Sequence, residues 1–136
     1  MKPVDLLYSN NLKRTSCREG IIEVIQSSGT ALSEEDIRRK LSGNYDRSTF
    51  YRSFKTLEEH NVIHKIQIDS QVIKYALADK GADQKEHAHF YCKECHAVRC
   101  IGTPTVSFAL LPEGYTREEA VVIVKGICSH CSHNNN

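Results

Sequence analysis

The sequence runs to 136 residues, 40% of them hydrophobic, with 18 basic and 17 acidic side chains and a formal net charge of +1. That length suits one domain or two small lobes, and a lobe of roughly 50–80 residues is marginal without a metal, a disulfide or a partner chain. The balance of charge excludes a chain that coats nucleic acid through bulk positive charge. With 13 basic and 12 acidic residues up to residue 83, and five of each beyond, any nucleic-acid footprint has to be local.

From Met1 to Ser9 there is only a short Leu6-Leu7-Tyr8 apolar patch, short of a secretory signal, and no apolar run reaches membrane-spanning length. These features predict a cytoplasmic protein with no membrane partner, whose cysteines stay reduced. Six cysteines in such a compartment point to metal or redox chemistry rather than disulfide stapling.

Three helices are predicted in the first sixty residues. Thr15 caps one that reaches about Ser27, with Cys17, Ile21, Val24 and Ile25 at inward spacing and Gly29 ending it. Ser33 opens a second, with Asp36 in the capping-box position, Ile37 and Leu41 facing inward and Gly43 closing it. Asp46 caps the third, which runs to about His60 with Asn61 as its stop.

The third helix carries the functional signal. Phe50, Phe54 and Leu57 fall on one stripe that has to face a core. Ser48, Arg52 and Lys55 lie opposite, with Tyr51 on the flank, and no acid interrupts the stretch between Asp46 and Glu58. Arginine and tyrosine on an exposed helix suit phosphate oxygens and base edges in a major groove; a plain solvated face is the alternative.

Two β-rich runs follow, Val62 to Ile68 and Gln71 to Leu77, parted by Asp69-Ser70, which is a hairpin signal. Three short helices and a hairpin form the winged-helix order, with the third helix in the groove and the wing along the backbone. Lys13 and Arg14, just ahead of the first helix, add candidate phosphate or minor-groove contacts.

Residues 81–86 read as a small polar linker. Beyond it stand two C-x-x-C pairs, Cys92/Cys95 and Cys128/Cys131. Each pair aims two sulfurs at one point, and two pairs complete a tetrahedron around Zn²⁺. A redox dithiol enzyme and buried, uncoordinated cysteines are the alternatives; catalytic dithiols sit in open, activating sites. Strands are predicted at His87 to Tyr91, Ala97 to Gly102 and Ala120 to Gly126, so the lobe reads as a short sheet stapled by zinc. His87 and His89 alternate by two and share one face of their strand. With Cys100 as a soft ligand they are candidates for a second metal, the alternative being two surface histidines. The tail around His133 reads as unstructured. No paired carboxylates, Ser/His/Asp arrangement or Gly-rich phosphate loop suggests other catalysis, so the chain reads as a non-enzyme. A zinc-containing adaptor or metal-handling accessory protein that binds no specific DNA sequence is the competing function.

The combination resembles the ferric uptake regulator family. Lys13-Arg14-Thr15 with Arg18 is similar to the family's basic approach to its first DNA-domain helix. The run from Leu32 to Ile37 is similar to its second-helix opening, and Ser48 to Phe54 resembles its A-T-V-Y-R-x-L recognition segment. Leu57-Glu58-Glu59 through Val62 to Lys65 is similar to the passage into the wing. His87 to Cys92 and Gly126-Ile127-Cys128 resemble the two ends of its dimerisation domain. The resemblance implies an α+β fold: a winged-helix DNA-binding domain over 1–83 and a small α/β zinc-binding dimerisation lobe over 84–136. It also implies a homodimeric repressor on double-stranded operator DNA, with Tyr51 contacting bases, Arg52 a phosphate, and Ser48, Thr49 and Lys55 beside them.

The chain departs from the family pattern at the regulatory metal positions. Glu86 stands where the family usually has His, Ala88 where it has Asp, and Ala31 where an upstream His ligand is expected. Ala76 and Cys100 replace two acids and Ala120 replaces a late His, so both of the family's usual regulatory sites read as stripped. The regulatory site is atypical or absent, and His87, His89 and Cys100 are the candidate ligands if a second metal, of undetermined identity, binds. Pro104 and Pro112 bracket only Thr105 to Leu111, too short a span for the family's interface helix at full length.

Overall fold

A computed structural model describes residues 2–78, 86–101, 111–116, 118 and 120–134. The linker over 81–85 and the proline-bracketed stretch up to residue 110 lie outside the described residues, as do the side chains of Glu86 and His87. The chain divides into two units, Met1–Ala78 and Asp79–Asn136; the boundary expected after residue 83 falls among residues outside the description.

The first unit holds α1 (Pro3–Ser9), α2 (Ser16–Ser27), α3 (Glu34–Lys40), α4 (Arg47–Glu59), β1 (Ile63–Gln67) and β2 (Ile73–Leu77). Capping sets three of the helix starts: the side chains of Thr15, Ser33 and Asp46 accept from the backbone N–H of Arg18, Asp36 and Thr49. Helix α3 ends at Lys40 with Leu41 as its cap, earlier than expected. Gly43 lies beyond it at φ 107°, in a region that favours glycine, and a Cβ added there would come within 3.0 Å of the Tyr45 ring.

Helix α1 was not expected from the sequence. Seven residues are too few to be stable as an isolated helix, and Lys2 offers no side-chain cap. What holds α1 is burial of Leu7, which is fully inaccessible, and a C-terminal lock. There Asn11 is left-handed (φ 60°), its N–H donates to Tyr8 O, and the Leu12 N–H donates back to Leu7 O. Helix α4 ends in the same way, with Asn61 at φ 58°, its N–H on Glu58 O and the Val62 N–H on Leu57 O.

The core joins Leu7, Ile21, Ile22, Ile37, Phe50, Phe54, Leu57 and Ile63, all buried. Phe54 meets the Tyr75 ring edge-on with centroids 4.6 Å apart. Strands β1 and β2 pair antiparallel from Ile63↔Leu77 to Gln67↔Ile73. The Asp69 carboxylate accepts from the Gln71 and Val72 N–H groups and closes the turn. A bridge between Leu32 and Tyr75 ties the segment before α3 to β2, a third partner that no periodicity had signalled.

The second unit holds β3 (Glu86–Cys92), β4 (Val98–Cys100), β5 (Ala120–Gly126) and α5 (Ser129–Asn134). The strand order is β4-β3-β5. Strand β4 runs antiparallel to β3 and β5 parallel to it, pairing from Glu86↔Ala120 to Cys92↔Gly126. The parallel register makes β3 and β5 end side by side, each followed at once by a C-x-x-C pair. Helix α5 occupies Ser129–Asn134 and so runs into the tail around His133 that was expected to be unstructured: once Cys128 is anchored, its carbonyl accepts from the Ser132 N–H and starts a helical turn.

Candidate metal centre and nucleic-acid interface

The four sulfurs of Cys92, Cys95, Cys128 and Cys131 all lie within 4.8 Å of one another. Cys95 Sγ and Cys128 Sγ are 3.9 Å apart. A tetrahedron with Zn–S arms of about 2.3 Å has edges of about 3.8 Å, so the cluster has the dimensions of such a site. Each pair is wrapped alike: the Cys95 N–H donates to Cys92 Sγ at 3.5 Å and the Cys131 N–H to Cys128 Sγ at 3.5 Å. The Cys128 N–H adds a cross-link to Cys92 Sγ at 3.4 Å.

These contacts divide the thiols. Amide donation from Cys95 and Cys128 holds the Cys92 pKa down at about 6. Hydrogen bonding to Cys128, with burial, pushes Cys131 up to about 12. Four thiolates this close repel each other, and a dication is what allows all of them to deprotonate together. The cluster can therefore hold a metal ion. Cys17 is buried in α2 as core packing of the first unit.

His89 stands opposite Cys100 in the β3–β4 ladder, so the two occupy one face of the sheet; the His87 side chain lies outside the described residues. His89 is buried at 4% exposure and Cys100 is exposed. For His89, the surface-histidine alternative is thus incorrect: the middle strand, flanked on both sides, takes it out of solvent. Among the described residues no metal-holding group other than the four cysteines is present.

In the first unit, Ser48, Thr49, Tyr51, Arg52 and Lys55 are all exposed along α4, with Tyr51 at 57%. Phe50, Ser53, Phe54 and Leu57 form the buried side of the same helix. Asp46 caps that helix, and its carboxyl pKa is lowered by the Thr49 N–H it accepts and by the Arg52 charge. Lys13 and Arg14 are exposed at the root of α2. Arg18 Nη1 donates to the Lys13 carbonyl at 2.9 Å, and Arg14 Nε sits 2.9 Å from a Glu19 carboxylate oxygen. With Arg14 largely exposed, this ion pair is weak.

One polar contact near this face escaped the sequence. The Tyr45 hydroxyl donates to Ser16 Oγ at 2.9 Å across 29 residues of chain, and no spacing rule links positions that far apart.

The model of the ferric uptake regulator family matches residues 9–110. The ferric uptake regulation protein of Bacillus subtilis (strain 168) is 33% identical over 96 residues, covering 68% of this chain and 64% of that protein. The protein of the same name from Campylobacter upsaliensis is 26% identical over 137 residues, covering 94% of this chain and 85% of its own. A solved zinc uptake regulator complexed with zinc and DNA superposes with a TM-score of 0.69 at 20% identity, covering 96% of this chain and 90% of that one. With the match spanning the winged helix and the first cysteine pair, the chain belongs to the ferric uptake regulator family.

Proposed function

We propose that this chain is a transcriptional repressor that binds double-stranded operator DNA through α4. The observation that carries the reading is the split character of that helix. Phe50, Phe54 and Leu57 anchor it in the core, while Ser48, Tyr51, Arg52 and Lys55 point into solvent. A helix so mounted presents base-reading and phosphate-binding groups on a rigid support. Lys13 and Arg14 extend the basic surface. The solved zinc uptake regulator held in a complex with DNA supports the same reading.

Zn²⁺ is the ion the four cysteines suit, because four thiolates in tetrahedral array favour a borderline-soft dication with no geometric demand of its own. It would be structural: with all four positions taken by sulfur, none remains open for a substrate. His87, His89 and Cys100 form the candidate ligand set for a second, regulatory ion. The chain would act as a homodimer, since a two-fold reader suits a palindromic operator. Strand β5 supports this, as it lies at the edge of its sheet with Val121 and Val124 exposed. No described helix is long and apolar enough to cross a membrane.

The test is binding of the zinc-loaded full chain to duplexes from its own promoter region across a salt series. A sequence-preferring complex that weakens steeply with salt is expected. If promoter and scrambled duplexes compete equally, the repressor reading fails and the adaptor alternative takes its place.

A further inference from the structure

Between the first turn of α2 and the flank of α4 lies a cleft lined by Ser16, Arg18, Tyr45, Thr49, Arg52 and Ser53 among others, with no acidic side chain in its lining. We propose that this cleft seats one phosphate group of the bound DNA backbone. The inference rests on the repressor reading and specifies how the duplex is gripped.

The chemistry is that of an oxyanion site. Ser53 is nine-tenths buried, an uncommon state for a serine, and its hydroxyl hydrogen-bonds to no described protein group. Ser53 lines the cleft, and its hydroxyl keeps access to that space instead of being sealed in the core. Helix α2 is 12 residues long and its Thr15 cap takes only the Arg18 N–H. The N–H groups of Ser16 and Cys17 have no carbonyl within the helix, and the helix dipole adds positive potential there. Arg52 supplies full charge from the other wall. The Tyr45–Ser16 hydrogen bond spans the two walls and sets the cleft's width. Arg18, through Lys13 O, fixes the basic arm at the rim, so one phosphate seated here places Lys13 and Arg14 against the adjoining backbone. Hydroxyls, amides and a guanidinium around one point suit a tetrahedral anion.

Two sources offer that chemistry, a DNA phosphodiester and free inorganic phosphate, and the test separates them. Ser53→Ala and Tyr45→Phe are chosen because both keep the packing; thermal melts should match the parent chain. Each is expected to weaken binding about three- to tenfold, equally on promoter and scrambled duplexes, because a phosphate contact carries no sequence information. Single methylphosphonate substitutions along the duplex should then reveal one position per half-site where neutralising the phosphate weakens the parent chain but costs the Ser53→Ala/Tyr45→Phe double variant nothing further. Unchanged affinity in both variants, or no such position, overturns the inference. A melting shift caused by inorganic phosphate at matched ionic strength, lost in the double variant and without a methylphosphonate position, would assign the cleft to a free ion and likewise overturn it. Failure of the parent chain to bind any duplex is a different result, and it counts against the repressor reading itself.

Discussion

Cys95 Sγ and Cys128 Sγ, 33 residues apart in sequence, stand 3.9 Å apart in space. The contact exists because β3 and β5 run parallel and in register, from Glu86↔Ala120 to Cys92↔Gly126, delivering both cysteine pairs to the same end of the sheet. A metal there joins the first strand of the unit to its last.

Metal removal follows directly. Purified protein should carry one tightly held Zn²⁺ per chain at this site, and Cys95→Ser should lower its retention during chelation. Because the ion contributes folding free energy, chelation should unfold the second unit while the helical signal of the first persists. Metal analysis with circular dichroism checks this; full zinc loss with an unchanged melt would show that the cluster is not structural.

Charge reversal at Arg52 tests the DNA face. Arg52→Glu should abolish detectable promoter binding at physiological salt, while Arg52→Gln should weaken it and reduce the salt slope by about one. Tyr51→Ala should instead change preference among operator variants. Arg52 is exposed on α4, so melting temperatures should stay close to the parent's.

Helix α1 depends on one side chain. Leu7→Ala, at a fully buried position, should cost about 2–5 kcal/mol. DNA binding should weaken only as far as the first unit unfolds, which a denaturant titration beside the binding assay would show.

The pH response has two limbs. Asp46 has its pKa lowered below 3.8 by the Thr49 N–H bonds, so its cap stabilises α4 at neutral pH and is lost as pH falls through that depressed value. Tyr75 is pushed up from 10.0 to about 12, chiefly by burial. Stability linked to it is intact below pH 10 and falls between there and about 12, since the unfolded chain ionises first. Asp46→Ala should flatten the acid limb and Tyr75→Phe the alkaline one, as read from melts across pH.

For the second metal, Cys100→Ser is the informative variant because Cys100 is exposed and its loss leaves the core intact. If His87, His89 and Cys100 bind an ion, titrated Zn²⁺ should reach two equivalents in the parent chain and fall toward one in the variant. Identical stoichiometry in both would remove Cys100 from the ligand set.

Local chemistry made much of this molecule readable from the chain. Thr15, Ser33 and Asp46 cap where their side chains predict, because a cap spans only four consecutive residues. The apolar stripe on α4 and the two C-x-x-C pairs are also short-range patterns. Asn61 was legible as a helix stop, yet the same left-handed lock at Asn11 was not, since α1 has no cap or periodicity to announce a helix that needs stopping.

Tertiary structure alone decided the rest. Helix α1 exists because Leu7 finds a core to enter, Leu32 joins Tyr75 across 43 residues of chain, and His89 is buried because β3 is flanked on both sides. The Ser16–Tyr45 span, with Ser53 buried beside it, arises only once α2 and α4 pack together. Short-range capping and spacing act between residues the chain already keeps close, whereas burial and cross-chain pairing depend on which surfaces meet, and a linear sequence does not display that.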